Sequence, residues 1–172
     1  MEIKNIFLPQ DGGIRFADRE IKADDVQSLL QAALLTIGCG GGNTCELYVT
    51  DEEALKTRLA DVRDEGAECV ASAPVVIAVT ADRLYDGAWM ENCSTAAWAM
   101  RIEAERLGLA SRCIQIRGYS LSDGTLSDEA VRGILGIPEG KTVCMLLAVG
   151  YADTETRIPS DEELDWERIH II

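Results

Sequence analysis

Few side chains in this sequence could do acid–base, nucleophilic or metal chemistry, and their spacing narrows the choice further. There is one histidine, His170, close to the C-terminus. A Ser-His-Asp triad or a histidine-based metal site therefore finds no support. The six cysteines are Cys39, Cys45, Cys69, Cys93, Cys113 and Cys144. None form a Cys-x-x-Cys pair, and most sit inside apolar segments, which points to buried, reduced thiols rather than a disulfide frame or a zinc site. What stands out instead is backbone. In "TIGCGGGNTCELYVTDEE", Thr36 to Glu53, four glycines and an asparagine fall within the six positions Gly38 to Asn43. Such density means that the backbone closely approaches something or takes positive φ angles. A dinucleotide loop, Gly-x-Gly-x-x-Gly, would need glycine where Asn43 stands, and no Gly-Lys-Ser/Thr follows for a Walker loop. The order is also reversed: phosphate loops leave a strand and open a helix, whereas this loop leaves a helix and enters a strand. The residues alone leave two readings, a helix C-cap with a loose turn or a backbone wall beside a ligand.

The elements around that loop can be read from periodicity. "IKADDVQSLLQAALLTIG" predicts a helix capped by Asp24 or Asp25, with Val26, Leu29, Leu30, Ala33 and Leu34 on one stripe and Gly38 as its stop. "CELYVT" predicts a short strand and "DEEALKTRLADV" an amphipathic helix with acids at its positive end. "APVVIAVTAD" predicts a strand buried on both faces. "DGAWMENCSTAAWAMRIEAERLGL" predicts the longest helix, capped by Asp86 and ended by a Schellman turn at Gly108-Leu109. Its apolar residues wrap most of the circumference, so it should be buried on several sides, with a second subunit as one candidate neighbour. Trp89 and Trp98 on it fit core or dimer contacts better than a pocket lining. "SRCIQI" predicts a strand, "LSDEAVRGILGIP" a helix and "KTVCMLLAVGY" another buried strand. The fold class is α+β: a mixed, mainly antiparallel sheet flanked by helices, with a long central helix.

The 172 residues make a single domain over 1–172, with 158–172 as an apolar, strand-like C-terminal arm. The formal net charge is −14 and the isoelectric point near 4.4. No basic face is expected for nucleic acid, and anionic membranes are disfavoured. The start, "MEIKNIFLPQDGG", lacks the basic and apolar regions of a signal peptide, and no apolar run could span a bilayer, so a cytoplasmic protein is expected.

Several segments, taken in order, resemble the nitroreductase family of flavin enzymes. In that family an "LLQAA" helix runs into Ser-Gly-Gly-Asn-Thr-Gln-Pro-Trp, a strand and an acid-led helix. The same order here reads "SLLQAALLTIGCGGGNTCELYVTDEEALKTRL". An Ala-Pro strand follows in "ASAPVVIAVTAD". A long helix ending in Leu-Gly-Leu-Gly-Ser-Cys-Trp-x-Gln-Ile-Arg is matched by "WMENCSTAAWAMRIEAERLGLASRCIQIRG". "ILGIPEG", the Gly-Tyr strand end "LLAVGY" and the tail "WERIHI" complete the set. The collinear set extends from Ile14 to the C-terminus, and the match is best from Trp89 to Tyr151.

The resemblance implies a homodimer with FMN at the subunit interface, moving hydride from NAD(P)H through flavin to nitroaromatic, quinone or similar small acceptors. The flavin carries the chemistry, so no side-chain acid or base is required. It implies that Gly40, Gly41, Gly42, Asn43 and Thr44 lie along the ring. Cys113, Ile114, Gln115 and Ile116 would pass its N5 and O4 edge with main-chain N–H groups. Arg15 and Arg157 would hold the phosphate. The "RIHII" arm has apolar residues and no helix of its own to cover, so it is expected to exchange onto the partner subunit.

Three departures accompany the match. Asp11, Gly12 and Gly13 replace an Arg-Arg-Ser that supplies phosphate contacts. Cys45 stands for the Gln-Pro-Trp after the glycines. "LASRCI" replaces Leu-Gly-Ser-Cys-Trp, so that Ile114 stands for the tryptophan and Arg112 is new. Arg112 would compensate near an anion or NADPH, or face solvent.

Overall fold

The computed structural model describes residues 14–37, 44–84, 87–153 and 160–172. In chain order the elements are α1 (Ala23–Ile37), β1 (Glu46–Thr50), α2 (Glu53–Ala60), α3 (Cys69–Ser72), β2 (Val75–Ala81), α4 (Trp89–Arg106), β3 (Ala110–Gln115), α5 (Ser127–Leu135) and β4 (Thr142–Gly150). The sheet order is β1-β2-β4-β3, and every described pairing is antiparallel. The two strands without charge, β2 and β4, are central and buried along their whole length, as continuous apolar runs require.

Strand alternation divides the core. Val75, Ile77, Val79, Leu147 and Val149 face α1 and α4. Val76, Ala78, Val143, Leu146 and Ala148 face the layer that holds α2, α3 and α5. One irregularity interrupts this alternation. Val79 pairs with Met145 while Thr80 pairs with Val143, which leaves Cys144 as an extra residue on β4. This bulge places Cys144 and Met145 in the same core half.

The long helix ends as expected. Gly108 takes φ +72°, its N–H donates to the Glu105 carbonyl at 3.0 Å, and the Leu109 N–H donates to Ala104 at 2.8 Å. That is the Schellman pair of bonds. Three other local expectations differ. α1 begins at Ala23, so Asp24 and Asp25 lie in its first turn rather than capping it. Leu29 and Ala33 are buried, but Leu34 is exposed, because the neighbouring α4 covers only part of the stripe. On α4 itself Cys93, Ala96, Ala97, Met100 and Ala104 are buried, whereas Met90, Trp98 and Ile102 face outward. The single chain packs that helix against α1 and the sheet and leaves the face with Met90, Trp98 and Ile102 outside. The expected cap Asp86 lies outside the described residues.

The C-terminal arm is not a strand in the single chain. It forms two 3-10 turns, Asp161–Glu163 and Trp166–Arg168, with every residue from Ser160 exposed. Its bonds are local: Ser160 and Glu163 cap one another, and the Trp166 indole N–H donates to the Asp161 carbonyl at 2.8 Å.

Candidate functional site

The position of Arg15 follows from the residue after it. Phe16 is buried and forms an antiparallel bridge with Ala152. The Ala17 N–H donates to the Tyr151 carbonyl at 2.8 Å, and the Asp153 N–H donates to the Arg15 carbonyl at 2.9 Å. The Arg19 guanidinium lies 3.7 Å over the Tyr151 ring. Residues 15–19 are thus zipped to the exit of β4. Gly150 makes this possible. A Cβ built there would stand 2.5 Å from Pro74 Cδ and 2.7 Å from Phe16 Cδ1, so the glycine of the Gly-Tyr strand end is the space into which Phe16 packs.

Arg15 lies on the walls of two adjoining hollows. The larger, about 780 Å³, carries Arg15, Arg19 and Lys56 together with Asp18, Asp51 and Asp153. Lys56 is buried there; its ammonium donates to the Ala73 carbonyl at 2.9 Å and pairs with Glu53 at 3.1 Å. The smaller, about 280 Å³, is bounded by Ile14, Arg15, Gly66, Glu68, Cys69, Ser72 and Arg112. The Ser72 hydroxyl donates to the Cys69 carbonyl at 3.1 Å and accepts the Phe16 N–H at 3.4 Å. Glu68 accepts the Gly66 N–H at 2.9 Å. That bond, with Arg112 and Arg63 nearby, holds its carboxyl below the ordinary range. Burial pushes the Cys69 thiol up to about 11, so it is neutral at physiological pH. Arg112, new against the family pattern, therefore does not simply face solvent. It is half-buried and shares this pocket with Arg15.

The segment Cys113–Ile116 lies at the edge of the four-stranded sheet, where among the described residues β3 pairs with β4 alone. On an edge strand alternate N–H groups point away from the partner. Ile114 and Ile116 are buried in the core below, Cys113 is half-buried towards α4, and Gln115 is exposed. Three of the four side chains are thus committed to packing, which leaves the main chain to face a ligand. The strand ends at the β4 bulge, where the Ile116 and Arg117 N–H groups both donate to the Cys144 carbonyl at 3.2 Å. Burial raises the Cys113 thiol, so it stays protonated.

Gly40, Gly41, Gly42, Asn43 and Arg157 lie outside the described residues. Thr44 is described, and its hydroxyl exchanges two hydrogen bonds with the main chain of Asp82, at 3.1 and 2.9 Å. This fastens the loop exit beside the far end of β2, where Ala81 pairs with Thr142. Arg15 stands beside Gly150, at the opposite end of β4. Nine β residues (Thr142–Gly150) span roughly 30 Å. One chain does not bring the exit of the glycine loop and Arg15 together.

Behind Thr44, Cys45, Cys93 and Cys144 gather in the core. The Cys93 thiol donates to Cys45 Sγ at 3.9 Å, and its sulfur hydrogen bonds to Cys144 and Cys45, together with burial, keep it protonated. Among the described residues no group of three His, Cys, Asp or Glu is arranged for a metal ion. No described helix is long and apolar enough to cross a membrane. Sequence reasoning did not single out Phe16, Ser72 or Lys56 as parts of the site. Only Phe16 had a local signal, a large aromatic directly after Arg15.

Comparison with known proteins bears on the family and the fold. The family model described as the nitroreductase family matches residues 63–151, just over half of the chain. A relative from Archaeoglobus fulgidus, provisionally named an NADH dehydrogenase/NAD(P)H nitroreductase, is 27% identical over 163 residues, covering 90% of this chain and 88% of the relative. Among solved structures, an FMN-dependent nitroreductase from Clostridium difficile R20291 is 28% identical. It has a TM-score of 0.89 and covers 99% of this chain and 98% of its own. A nitroreductase-like protein from Desulfovibrio desulfuricans, solved in complex with FMN, shares the fold at 18% identity and a TM-score of 0.64, over 91% of each chain. The matched segment runs from the turn after α2 through β3 to the Gly-Tyr end of β4, and the chain belongs to the nitroreductase family.

Proposed function

We propose that this protein is an FMN-dependent oxidoreductase that takes hydride from NAD(P)H and delivers it to nitroaromatic, quinone or similar acceptors, working as a cytoplasmic homodimer. The observation that carries the reading is the placement of Arg15 near the sheet's edge strand: it is anchored at the exit of β4 and shares a hollow with Arg112 of β3, whose outer edge has no partner strand among the described residues. The donor set fits the cofactor, since a phosphate wants guanidinium partners and a flavin's polar edge wants main-chain donors. Bound FMN would accept hydride from one substrate and yield it to the next. The chain's own residues would bind and orient. Arg15, with Arg157, would hold the phosphate, and the β3 edge would donate to the ring. The buried, protonated Cys113 would present no thiolate to it.

The separation of Thr44 from Arg15 supports the homodimer, because a glycine loop from a second copy can close a site that one copy leaves open. Exposed apolar side chains support it too: Leu34 and Leu35 on α1, Trp98 and Ile102 on α4, and Trp166, Ile169, Ile171 and Ile172 on the arm. Covering the arm with a partner's sheet edge is the economical way to bury them.

A second reading, a degenerate member that binds flavin or scaffolds without redox turnover, is favoured by one set of observations. Asp11, Gly12 and Gly13 stand in place of Arg-Arg-Ser, and Asp18, Glu20, Asp51, Glu53 and Asp153 share the large hollow with Arg15. The visible spectrum of the purified protein, followed by anaerobic addition of NADH or NADPH, separates the two. The enzyme reading expects a flavin band near the usual 450 nm region that bleaches with nicotinamide and returns with a quinone. A colourless protein that takes up no FMN on titration overturns it, and a coloured one that never bleaches selects the second reading.

A further inference from the structure

We propose that Arg63 is a positioning residue for the main chain of β3: it clasps the outer edge of the strand at Gln115 and so sets the peptide groups that face the ligand. This deepens the flavin reading and rests on it for the identity of that ligand. The direction of the Gln115 carbonyl follows from its own peptide unit. The Ile116 N–H donates to the Cys144 carbonyl of β4 at 3.2 Å. In a trans peptide the C=O and the N–H point opposite ways, so the Gln115 carbonyl points away from β4, to the outer edge. There the Arg63 guanidinium meets it, with Nη1 donating at 3.2 Å. In antiparallel pairing the N–H and C=O of one residue lie on the same side, so the Gln115 N–H belongs to that outer edge as well. An edge thus offers acceptors beside its donors, and the acceptors of a flavin's polar edge are repelled by a bare carbonyl. With the carbonyl engaged by a cation, the donor is what this stretch of edge offers.

The clasp is held at three points. The chain leaving β3 turns at once: the Tyr119 N–H donates to the Ile116 carbonyl at 3.2 Å, and Gly118 takes φ +81°. A positive φ at the third residue of such a turn is the type II signature, which favours glycine there. The turn folds Tyr119 back, and the Arg63 guanidinium lies 3.7 Å over its ring. Stacking fixes the plane of the guanidinium, and with it the direction of the N–H that Gln115 receives. The neighbouring Asp64 holds the same segment further on. It accepts the Ser122 hydroxyl at 2.6 Å and the Ser122 N–H at 3.3 Å. From the other side the Ser127 N–H, at the start of α5, donates to the Tyr119 carbonyl at 3.0 Å. Arg63 and Asp64 stand between Val62 and Ala67, which are buried in the same core half as Ile114 and Ile116. The clasp is therefore rooted in the layer beneath the strand that it holds, although Arg63 and Gln115 are 52 positions apart.

Wild type, Arg63→Gln, Arg63→Lys and Tyr119→Leu are compared by backbone hydrogen exchange, and by titration with FMN and with riboflavin followed by fluorescence and visible absorption. Arg63→Gln loses both the stack and the charged donor. Exchange in residues 113–122 should quicken about 10-fold, while β1 and β2 stay as they are. FMN and riboflavin should weaken by the same factor, about 3- to 10-fold, because the edge holds the ring and not the phosphate. The absorption band of the bound flavin should shift as well. Arg63→Lys keeps the charge without the fork, and Tyr119→Leu keeps the Gln115 bond without the stack, so both should fall between. Unchanged exchange in 113–122 overturns the inference. So does quickened exchange with flavin affinity and spectrum like the wild type, which would make the clasp a loop fastening only. A larger loss for FMN than for riboflavin also overturns it, since Arg63 would then act at the phosphate. If exchange quickens throughout the sheet in Arg63→Gln, Arg63→Lys decides: quickening confined to 113–122 supports the clasp, and quickening everywhere overturns it. If the wild type binds neither flavin, the flavin reading fails, and the clasp then stands on exchange confined to 113–122 or falls without it.

Discussion

Gly150→Ala tests how the strap that carries Arg15 is held. The new Cβ would lie 2.5 Å from Pro74 Cδ, 2.7 Å from Phe16 Cδ1 and 3.1 Å from Phe16 Cγ. Carbon atoms pack at about 3.5–4.0 Å, so about 1 Å must be found. Pro74 directly precedes β2, a central strand paired on both sides, and cannot yield cheaply. Phe16 must therefore move, although it is only 3% exposed and its strap is bonded to Tyr151 and Asp153. Either the ring stays and is overpacked, at about 1–3 kcal/mol, or it leaves and forfeits about 1.5–3 kcal/mol of burial. For a chain of this length each kcal/mol lowers the melting temperature by about 2–4 °C. A loss of about 1–3 kcal/mol thus means a fall of about 2–12 °C in a thermal melt. Because the strap carries Arg15, affinity for FMN should weaken more than affinity for riboflavin. Phe16→Leu makes room for the methyl group, so the double variant Gly150→Ala/Phe16→Leu should be more stable than the sum of the single losses by about 0.5 kcal/mol or more. An unchanged melting temperature for Gly150→Ala, or strictly additive losses in the double variant, would refute this account of the Gly-Tyr corner.

Removal of Trp166–Ile172 should shift the proposed dimer towards monomer in sedimentation velocity, since Ile171 and Ile172 are almost wholly exposed in the single chain; an unchanged dimer counts against arm exchange. Lys56→Met keeps the buried stem but leaves the Ala73 carbonyl without its ammonium donor, and should cost about 1–3 kcal/mol by urea denaturation; no change in the midpoint would show that the bond is replaceable by water. Stability should also fall as pH rises from about 9 to about 11. The Cys69 thiol is raised from 9.0 to about 11 in the folded protein, so in this window the unfolded chain has released a proton that the folded chain keeps. A raised folded value gives stability that is complete below the unfolded value and lost through the folded one. Urea midpoints from pH 8 to 11 should decline less steeply in Cys69→Ala, and an identical decline would assign the effect to other groups.

The elements that were legible were those whose signal is local. Continuous apolar runs became the central strands β2 and β4, and Gly108-Leu109 closed α4 as a Schellman turn because that motif needs only a few consecutive residues. The outward faces of α1 and α4 were not legible, because Leu34, Trp98 and Ile102 are apolar whether they meet the chain's own core or another copy. Periodicity reports that a face wants burial but not what buries it. The arm failed for a related reason. "RIHII" has strand propensity, yet a strand needs an edge to pair with, and the single chain satisfies the preceding residues with local turns instead. Around the candidate site, the sequence picked out Arg15 by the pattern around it and Arg112 as a departure from that pattern, but not that both line one hollow. The alternation of β3 and the burial of Phe16 turn both arginines to one side of the sheet, and neither fact is visible within a few residues of either arginine. The same non-local reasoning applies to Gly150. In sequence it is a glycine before a tyrosine. In the fold it is the gap that admits Phe16, 134 positions earlier (150 against 16), and so it helps decide where a cation more than a hundred residues away can stand.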